Sequence, residues 1–317
     1  MSFDLITMGR VGVDLYPEQI GVRLADVQTF AKSLGGSATN VSVAAARLGV
    51  RSAVITKVGD DPFGPYVREA LEDFDVDARW VGTHPTLRTP VVFCEIFPPD
   101  DFPLLFYREP QAPDIMLSRD ELDFEAIREA RVFWTTGTGL SAEPSRSATL
   151  AALAARQDAG HDPTHPAITV HDLDHRPMFW ADESEAGHWA REALQHATVA
   201  VGNRDEVAVA TGTRDPEAAA DALLEMGVRV AIVKRGPDGV LARTEDETVE
   251  VAPVRTEVVN GLGAGDAFGG ALVHGMLEGL GLRETIELAN AAGALVASRL
   301  ACADAMPTIG ELEELVA

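Results

Sequence analysis

The run Val258-Val259-Asn260-Gly261-Leu262-Gly263-Ala264-Gly265-Asp266-Ala267-Phe268-Gly269-Gly270-Ala271-Leu272 decides how the rest of the chain is read. Two β-branched residues enter a glycine-rich turn, which opens into an Ala/Leu/Gly segment with the composition of a buried helix. Gly261, Gly263 and Gly265 remove Cβ atoms where the backbone must come close to a partner. A helix starting near Ala264 aims its unpaired N–H groups and positive dipole end back at the turn. Such a turn is an anion site, and phosphate is the usual anion. Asp266 is out of place there, because a carboxylate repels bound phosphate. It is either a helix-start residue favoured by the dipole or a base for a hydroxyl that attacks phosphorus. No Gly-Lys-Ser/Thr follows, so the turn is not a Walker loop. Asp266 also sits where a dinucleotide fingerprint wants no charge.

Composition narrows the classes. A chain of 317 residues suits one large α/β domain, 1–317, with ample length for a core. No apolar run approaches a membrane span, and Met1–Ile6 lacks the basic start of a signal peptide. Cys94 and Cys302 are the only cysteines, which suggests neither a disulfide framework nor a zinc site and fits a reducing cytoplasm. The formal net charge is −24, with Lys32, Lys57 and Lys234 the only lysines. That balance argues against nucleic acid and anionic membranes as partners. Positive side chains that face a pocket therefore become informative.

Elsewhere the chain alternates. Phe3–Gly9 reads as a first strand, and Gly9-Arg10-Val11-Gly12 is followed by extended chain rather than a helix. Asp14 lies just past that strand, where open α/β sheets bind ligands, although a turn residue is an equal reading. Leu34-Gly35-Gly36-Ser37-Ala38-Thr39-Asn40 introduces an Ala-rich helix, for ligand approach or for packing. Ser52–Val58 is a strand, and Asp60-Asp61-Pro62 starts a helix with proline at its first position. Helices over 120–130, 144–159 and 182–196 alternate with strands over 131–136, 167–171 and 198–201, which indicates a parallel sheet covered on both faces. Thr89–Phe97 and Pro103–Arg108 form a hairpin without a crossover helix, so they leave the parallel core. Together with the excursion around 11–33, the segment around 88–110 is expected to make a small β-sheet lid. Exposed apolar lid faces favour pairing with a second copy.

The glycine turn resembles the C-terminal signature of the ribokinase-like (PfkB) sugar kinases, Asp-Thr-x-Gly-Ala-Gly-Asp. Gly263, Ala264, Gly265 and Asp266 match, and Asn260 and Gly261 depart from the usual Asp and Thr. Gly35, Gly36 and Asn40 match the family's N-terminal Gly-Gly-x-x-x-Asn. The resemblance implies a three-layer α/β/α fold with a mostly parallel central sheet and a β-sheet lid. It also implies phosphoryl transfer from ATP with Mg²⁺, Asp266 as base and the Gly263–Gly265 amides as anion hole. Asp14, Gly35, Gly36 and Asn40 would touch the sugar. Asn203 and Glu206 match an Asn-x-x-Glu motif, with Glu206 at magnesium; a capping box explains the same pair. Lys234, Arg235 and Gly236, at the mouth of the strand 230–234, would meet nucleotide phosphate or make a solvated turn. Asn290 and Gly293 would line the adenine pocket, and a close-packed core helix has the same composition.

Two stretches resemble the members that act on keto-deoxy sugar acids. Tyr107 and Arg108 follow the lid, and Asp172-Leu173-Asp174-His175-Arg176 fits Asp-x-Asn-x-Arg with Asp174 in place of Asn. Arg108 and Arg176 would then meet the substrate carboxylate, a planar fork on a planar anion. The departures at Asn260 and Gly261 weaken the potassium site that many members carry beside the anion hole. A silent sugar- or nucleotide-binding protein on the same fold is the rival from another class.

Overall fold

The computed structural model describes residues 2–157 and 167–316. The first half contains β1 Leu5–Met8, β2 Gly12–Pro17, β3 Phe30–Gly35, α1 Ser37–Arg47, β4 Ser52–Gly59, α2 Phe63–Asp73, β5 Val76–Asp77, β6 Val81–His84, β7 Val91–Cys94 and β8 Leu104–Tyr107. Then follow α3 Phe124–Glu129, β9 Val132–Thr136, α4 Ser145–Gln157, β10 Ile168–Asp172, α5 Glu183–Leu194, β11 Val199–Asn203, α6 Arg204–Thr211 and α7 Pro216–Glu225. The chain closes with β12 Val230–Lys234, β13 Val240–Arg243, β14 Thr248–Val251, α8 Ala264–Glu278, α9 Leu282–Ala297 and α10 Ile309–Val316.

The large sheet runs β14-β13-β12-β11-β10-β9-β1-β4-β5, with β6 also on β4. From β12 to β5 its neighbours are parallel, and β13 and β14 add an antiparallel edge. The buried strand residues feed two faces. Leu5, Val54, Trp134 and Val170 pack with α1, α8 and α9, whereas Ile6, Ile55 and Phe133 pack under α3 and α4. Ala200, Ala231 and Val233 continue that second face under α5, α6 and α7. This is the three-layer architecture expected from the alternation. The lid is a separate sheet, β3-β2-β7-β8, in which β7 and β8 form the expected antiparallel hairpin and β7 joins β2 in parallel.

Several element bounds differ from the sequence expectation. The helix expected over 120–130 begins only at Phe124, because Asp123 caps it by accepting from the Ala126 N–H at 3.0 Å. Before it, Ser118 and Glu121 make a capping box on a separate 3₁₀ turn. Pro62, expected as the first helical residue, is instead the N-cap one residue ahead of it, and Asp61 Oδ1 accepts from the Phe63 N–H at 2.9 Å. The last two positions expected in the helix 144–159 lie outside the described residues.

What positions the site is the contact between α1 and α8. Gly270 faces Ala44 so closely that a Cβ on it would lie 2.3 Å from the Ala44 Cβ, and one on Gly269 would lie 2.8 Å from the Trp134 ring. Helices this close need small residues on both faces, which α1 supplies with Ala44 and Ala45. The packing aligns the start of α8 with the start of α1.

Candidate active site

Gly263 takes the left-handed conformation, φ 80°, that starts α8. A Cβ there would lie 2.6 Å from Cys302 Sγ, so glycine is required for both conformation and space. The first amides of α8, from 264 to 266, have no carbonyl within the helix to pair with and face the turn. Asp266 sits among them, half-buried, with Oδ2 accepting from Asn40 Nδ2 at 2.9 Å and Oδ1 from Ser37 Oγ at 3.1 Å. Burial raises its pKa above the usual carboxylate range, against the pull of those two hydrogen bonds.

A cleft opens in front of Asp266. Asp14, Gly36, Asn40, Arg108, Arg176 and Gly263, all expected site residues, line it with Asp266. Gly35 lies behind: a Cβ there would fall 2.2 Å from the Asp14 carboxylate, so its task is to make room for Asp14. Val92, Leu104 and Phe106 roof the cleft from the lid. Tyr107 does not line it. On β8 successive side chains alternate, so Phe106 turns inward and Tyr107 lies on the outer face, 61% exposed and edge-on to Phe93.

The arginines are not free. Arg108 donates through both terminal nitrogens to Asp114, at 3.1 and 2.5 Å, and Arg176 pairs with Asp174 at 3.1 Å. Burial alone would raise Asp174, but Arg10 and Arg176 beside it hold its carboxyl well below the usual range. Asp14 is pushed up to about 7 by burial, with Tyr16 donating to it at 3.2 Å.

Behind the glycine turn lies the second group. Lys234 Nζ lies 3.3 Å from where a Gly265 Cβ would stand. Burial lowers the lysine's pKa, but Asp172, Glu206, Asp266 and Asp174 outweigh it, so the amine stays protonated. Burial pushes Asp172 up to about 7 despite the opposing lysine. Asn203 and Glu206 make the full capping box: Asn203 Oδ1 accepts from the Glu206 N–H at 3.0 Å, and Glu206 Oε2 accepts from the Asn203 N–H at 2.7 Å. The box leaves Glu206 Oε1 unused. Among the described residues no three His, Cys, Asp or Glu side chains converge as a metal cage. Glu206 with Asp172 nearby fits an ion that keeps most of its waters, as magnesium does.

The remaining expected nucleotide residues have local tasks. Arg235 pairs with Glu250 at 2.8 Å, and Gly236 supplies a turn at φ 61°. Asn290 donates to the Ala252 carbonyl at 2.8 Å, and Gly293 lets α9 approach the Ala264 carbonyl. Sequence reasoning missed Arg10, Ser37, Tyr16 and Cys302, all of which line the cleft. Only the unusual Gly9-Arg10 after β1 carried a local signal.

The family model described as pfkB family carbohydrate kinase matches residues 2–309, and the chain belongs to that family. Its relatives include the 5-dehydro-2-deoxygluconokinases of Photobacterium profundum, 34% identical over 96% of this chain and 92% of theirs, and of Listeria monocytogenes, 31% identical over 100% and 96%. Among solved structures, a putative ribokinase II from E. coli in complex with ATP and Mg²⁺ superposes with a TM-score of 0.89 at 25% identity, covering 100% of this chain and 99% of that one. A Vibrio cholerae fructokinase double mutant with fructose, ADP and potassium gives 0.85 at 25% identity over 100% and 99%.

Asp14 yields a pH prediction. Its folded pKa of about 7 stands above the ordinary 3.8, so its contribution to stability is complete below pH 3.8 and is lost as pH rises through 7. Asp14→Asn has no such loss. Urea midpoints should show the variant gaining on the native protein between pH 5 and pH 8; a gap equal at both pH values would contradict the assignment.

Proposed function

We propose that the chain transfers the γ-phosphoryl group of ATP to the terminal hydroxyl of 5-dehydro-2-deoxygluconate, a step of inositol catabolism. The observation that carries this reading is one cleft with Asp266 and the open amides of α8 at its floor and arginines on its wall. The Asp266 carboxylate takes the hydroxyl proton as the oxygen attacks the γ-phosphorus, and the bond to the β–γ bridging oxygen breaks to release ADP. The amides at 264–266 donate to the phosphoryl oxygens as charge builds on them. Lys234 faces the same charge from behind Gly265. Glu206 and Asp172 would hold hydrated magnesium, which when bound supplies neutralising charge to the phosphates. The lid residues Val92, Leu104 and Phe106 exclude water, the competing acceptor.

Arg108 and Arg176 orient the substrate carboxylate. Sugar acids with the keto group elsewhere, such as 2-keto-3-deoxygluconate, would use the same arginines and are the alternative substrates within the family. A silent binding protein is disfavoured by Asp266, since binding phosphate gives no reason for a carboxylate there. The outer face of the lid carries Leu15, Phe93 and Leu105 in one row and Val91 and Tyr107 in the next. Leu105 is 47% exposed, and we propose that a second copy covers this face. Sedimentation should then give a dimer that Leu105→Glu dissociates; a native monomer at micromolar concentration would contradict it.

Asp266→Asn keeps size but removes basicity, so turnover should fall roughly 10²–10⁴-fold with little change in substrate affinity. The native protein, in a panel of sugar acids and neutral sugars read by ATP consumption, should prefer 5-dehydro-2-deoxygluconate. Equal rates on fructose or ribose would sink the sugar-acid reading.

The turn does not fit a tight potassium site. Asn260 is buried and neutral; its Oδ1 accepts from the Leu262 N–H at 3.0 Å and its Nδ2 donates to the Leu300 carbonyl at 2.5 Å. An amide donor thus occupies an oxygen that a cation would use, and it ties the turn down by itself. KCl, against choline chloride at fixed ionic strength, should activate only modestly, and Asn260→Asp should increase the activation. A native enzyme strictly dependent on potassium would refute this account of Asn260.

A further inference from the structure

We propose that Arg10 is a specificity-determining residue that holds the substrate carboxylate together with Arg176. This rests on the sugar-acid reading above and assigns part of recognition to a residue that reading does not use.

Arg10 stands two residues past the end of β1 and is 7% exposed. Its carbonyl accepts from Thr39 Oγ1 at 3.0 Å, which fixes its backbone to α1. In the guanidinium, Nε donates to Thr138 Oγ1 at 2.8 Å and Nη2 to Asp174 Oδ2 at 2.9 Å. Nη1 has no protein partner among the described residues, although the residue lines the cleft. Arg108 is different: Asp114 engages both of its terminal nitrogens and also accepts from the Val11 N–H at 3.1 Å. Both Nη atoms of Arg108 are therefore already engaged, end-on, by its own carboxylate.

Asp174, by contrast, serves two guanidiniums. Arg10 takes Oδ2, shared with Thr138 Oγ1 at 2.8 Å, and Arg176 pairs with Oδ1. Arg176 also has a buried Nε without a partner. One carboxylate thus faces two cations, and donors on both remain unused. The Arg176 Nε is buried without an acceptor and two cations share one carboxylate, so the pair favours an acceptor that brings negative charge. The other acids on the cleft have donors of their own: Tyr16 for Asp14, and Asn40 with Ser37 for Asp266. A ligand carboxylate is planar and accepts from two forks at once, which a neutral hydroxyl does not. The Phe179 ring keeps the plane in place, with the guanidinium carbon of Arg10 at 5.9 Å from its centroid and that of Arg108 at 5.3 Å.

The test compares the native protein with Arg10→Lys and with Arg10→Gln, which leave Asp174 in place for Arg176, after circular dichroism has shown each variant to be folded. KM is measured for 5-dehydro-2-deoxygluconate, fructose and ATP. The expected result is a KM for the acid raised about tenfold or more in both proteins, from losing a charge-assisted contact. The preference for acid over fructose should fall by the same factor, with the KM for ATP within about twofold. Folded variants that keep the native preference would overturn the proposal, leaving Arg10 only as a support for Asp174. A native protein that itself shows no preference would instead remove the sugar-acid reading and this inference with it, and that failure is visible before any variant is made.

Discussion

The structure depends on the close crossing of α1 and α8. Asp266 is held by Asn40 and Ser37, one on the first turn of α1 and the other at its start, and that works only if the two helix beginnings lie side by side. Gly269 and Gly270 against Trp134 and Ala44 set the distance, and added Cβ atoms would push the helices apart. A shift of one ångström there would break both hydrogen bonds to Asp266 and turn the amides of α8 away from the cleft. Packing and chemistry are therefore one problem, solved by the same small residues.

Charge follows the same economy. A chain with a net charge of −24 repels polyanions at long range, so any phosphate or carboxylate must be met by side chains placed locally. Lys234 is placed behind the anion turn and three arginines on the wall of the cleft, each anchored by an acid. Cations with partners of this kind stay charged and stay put. The acidic character of the rest of the surface leaves the cleft as the place where an anion is favoured.

Much of this was legible in the sequence, and the limits have physical causes. Alternating helices and strands are local patterns, so the parallel sheet could be read, and the glycine turn could be read because phosphate chemistry demands its backbone. Tyr107 and Arg108 are neighbours in a motif, yet strand geometry sends adjacent side chains to opposite faces, and only Arg108 reaches the cleft. Arg10 left almost no trace, because its partners Thr138 and Asp174 are 128 and 164 residues away. Asn203 and Glu206 show another limit. A capping box and a magnesium residue need the same spacing, and the box alone leaves one oxygen of Glu206 unused.

The lid and the anion turn are also joined, through a contact with no sequence pattern. Tyr16, on lid strand β2, points its hydroxyl at Asp14 Oδ2, 3.2 Å away, and at Cys302 Sγ, 2.7 Å away. Cys302 in turn lies against Gly263, where even a methyl group could not be added. A phenol has one proton to give, so it can favour the carboxylate only while its oxygen or the thiol adjusts. Ionising Asp14, which burial disfavours, draws that proton towards the carboxylate. Asp14, Tyr16 and Cys302 are buried and Cys302 abuts Gly263, so direct packing joins the lid strand to the anion turn without any need for a longer path.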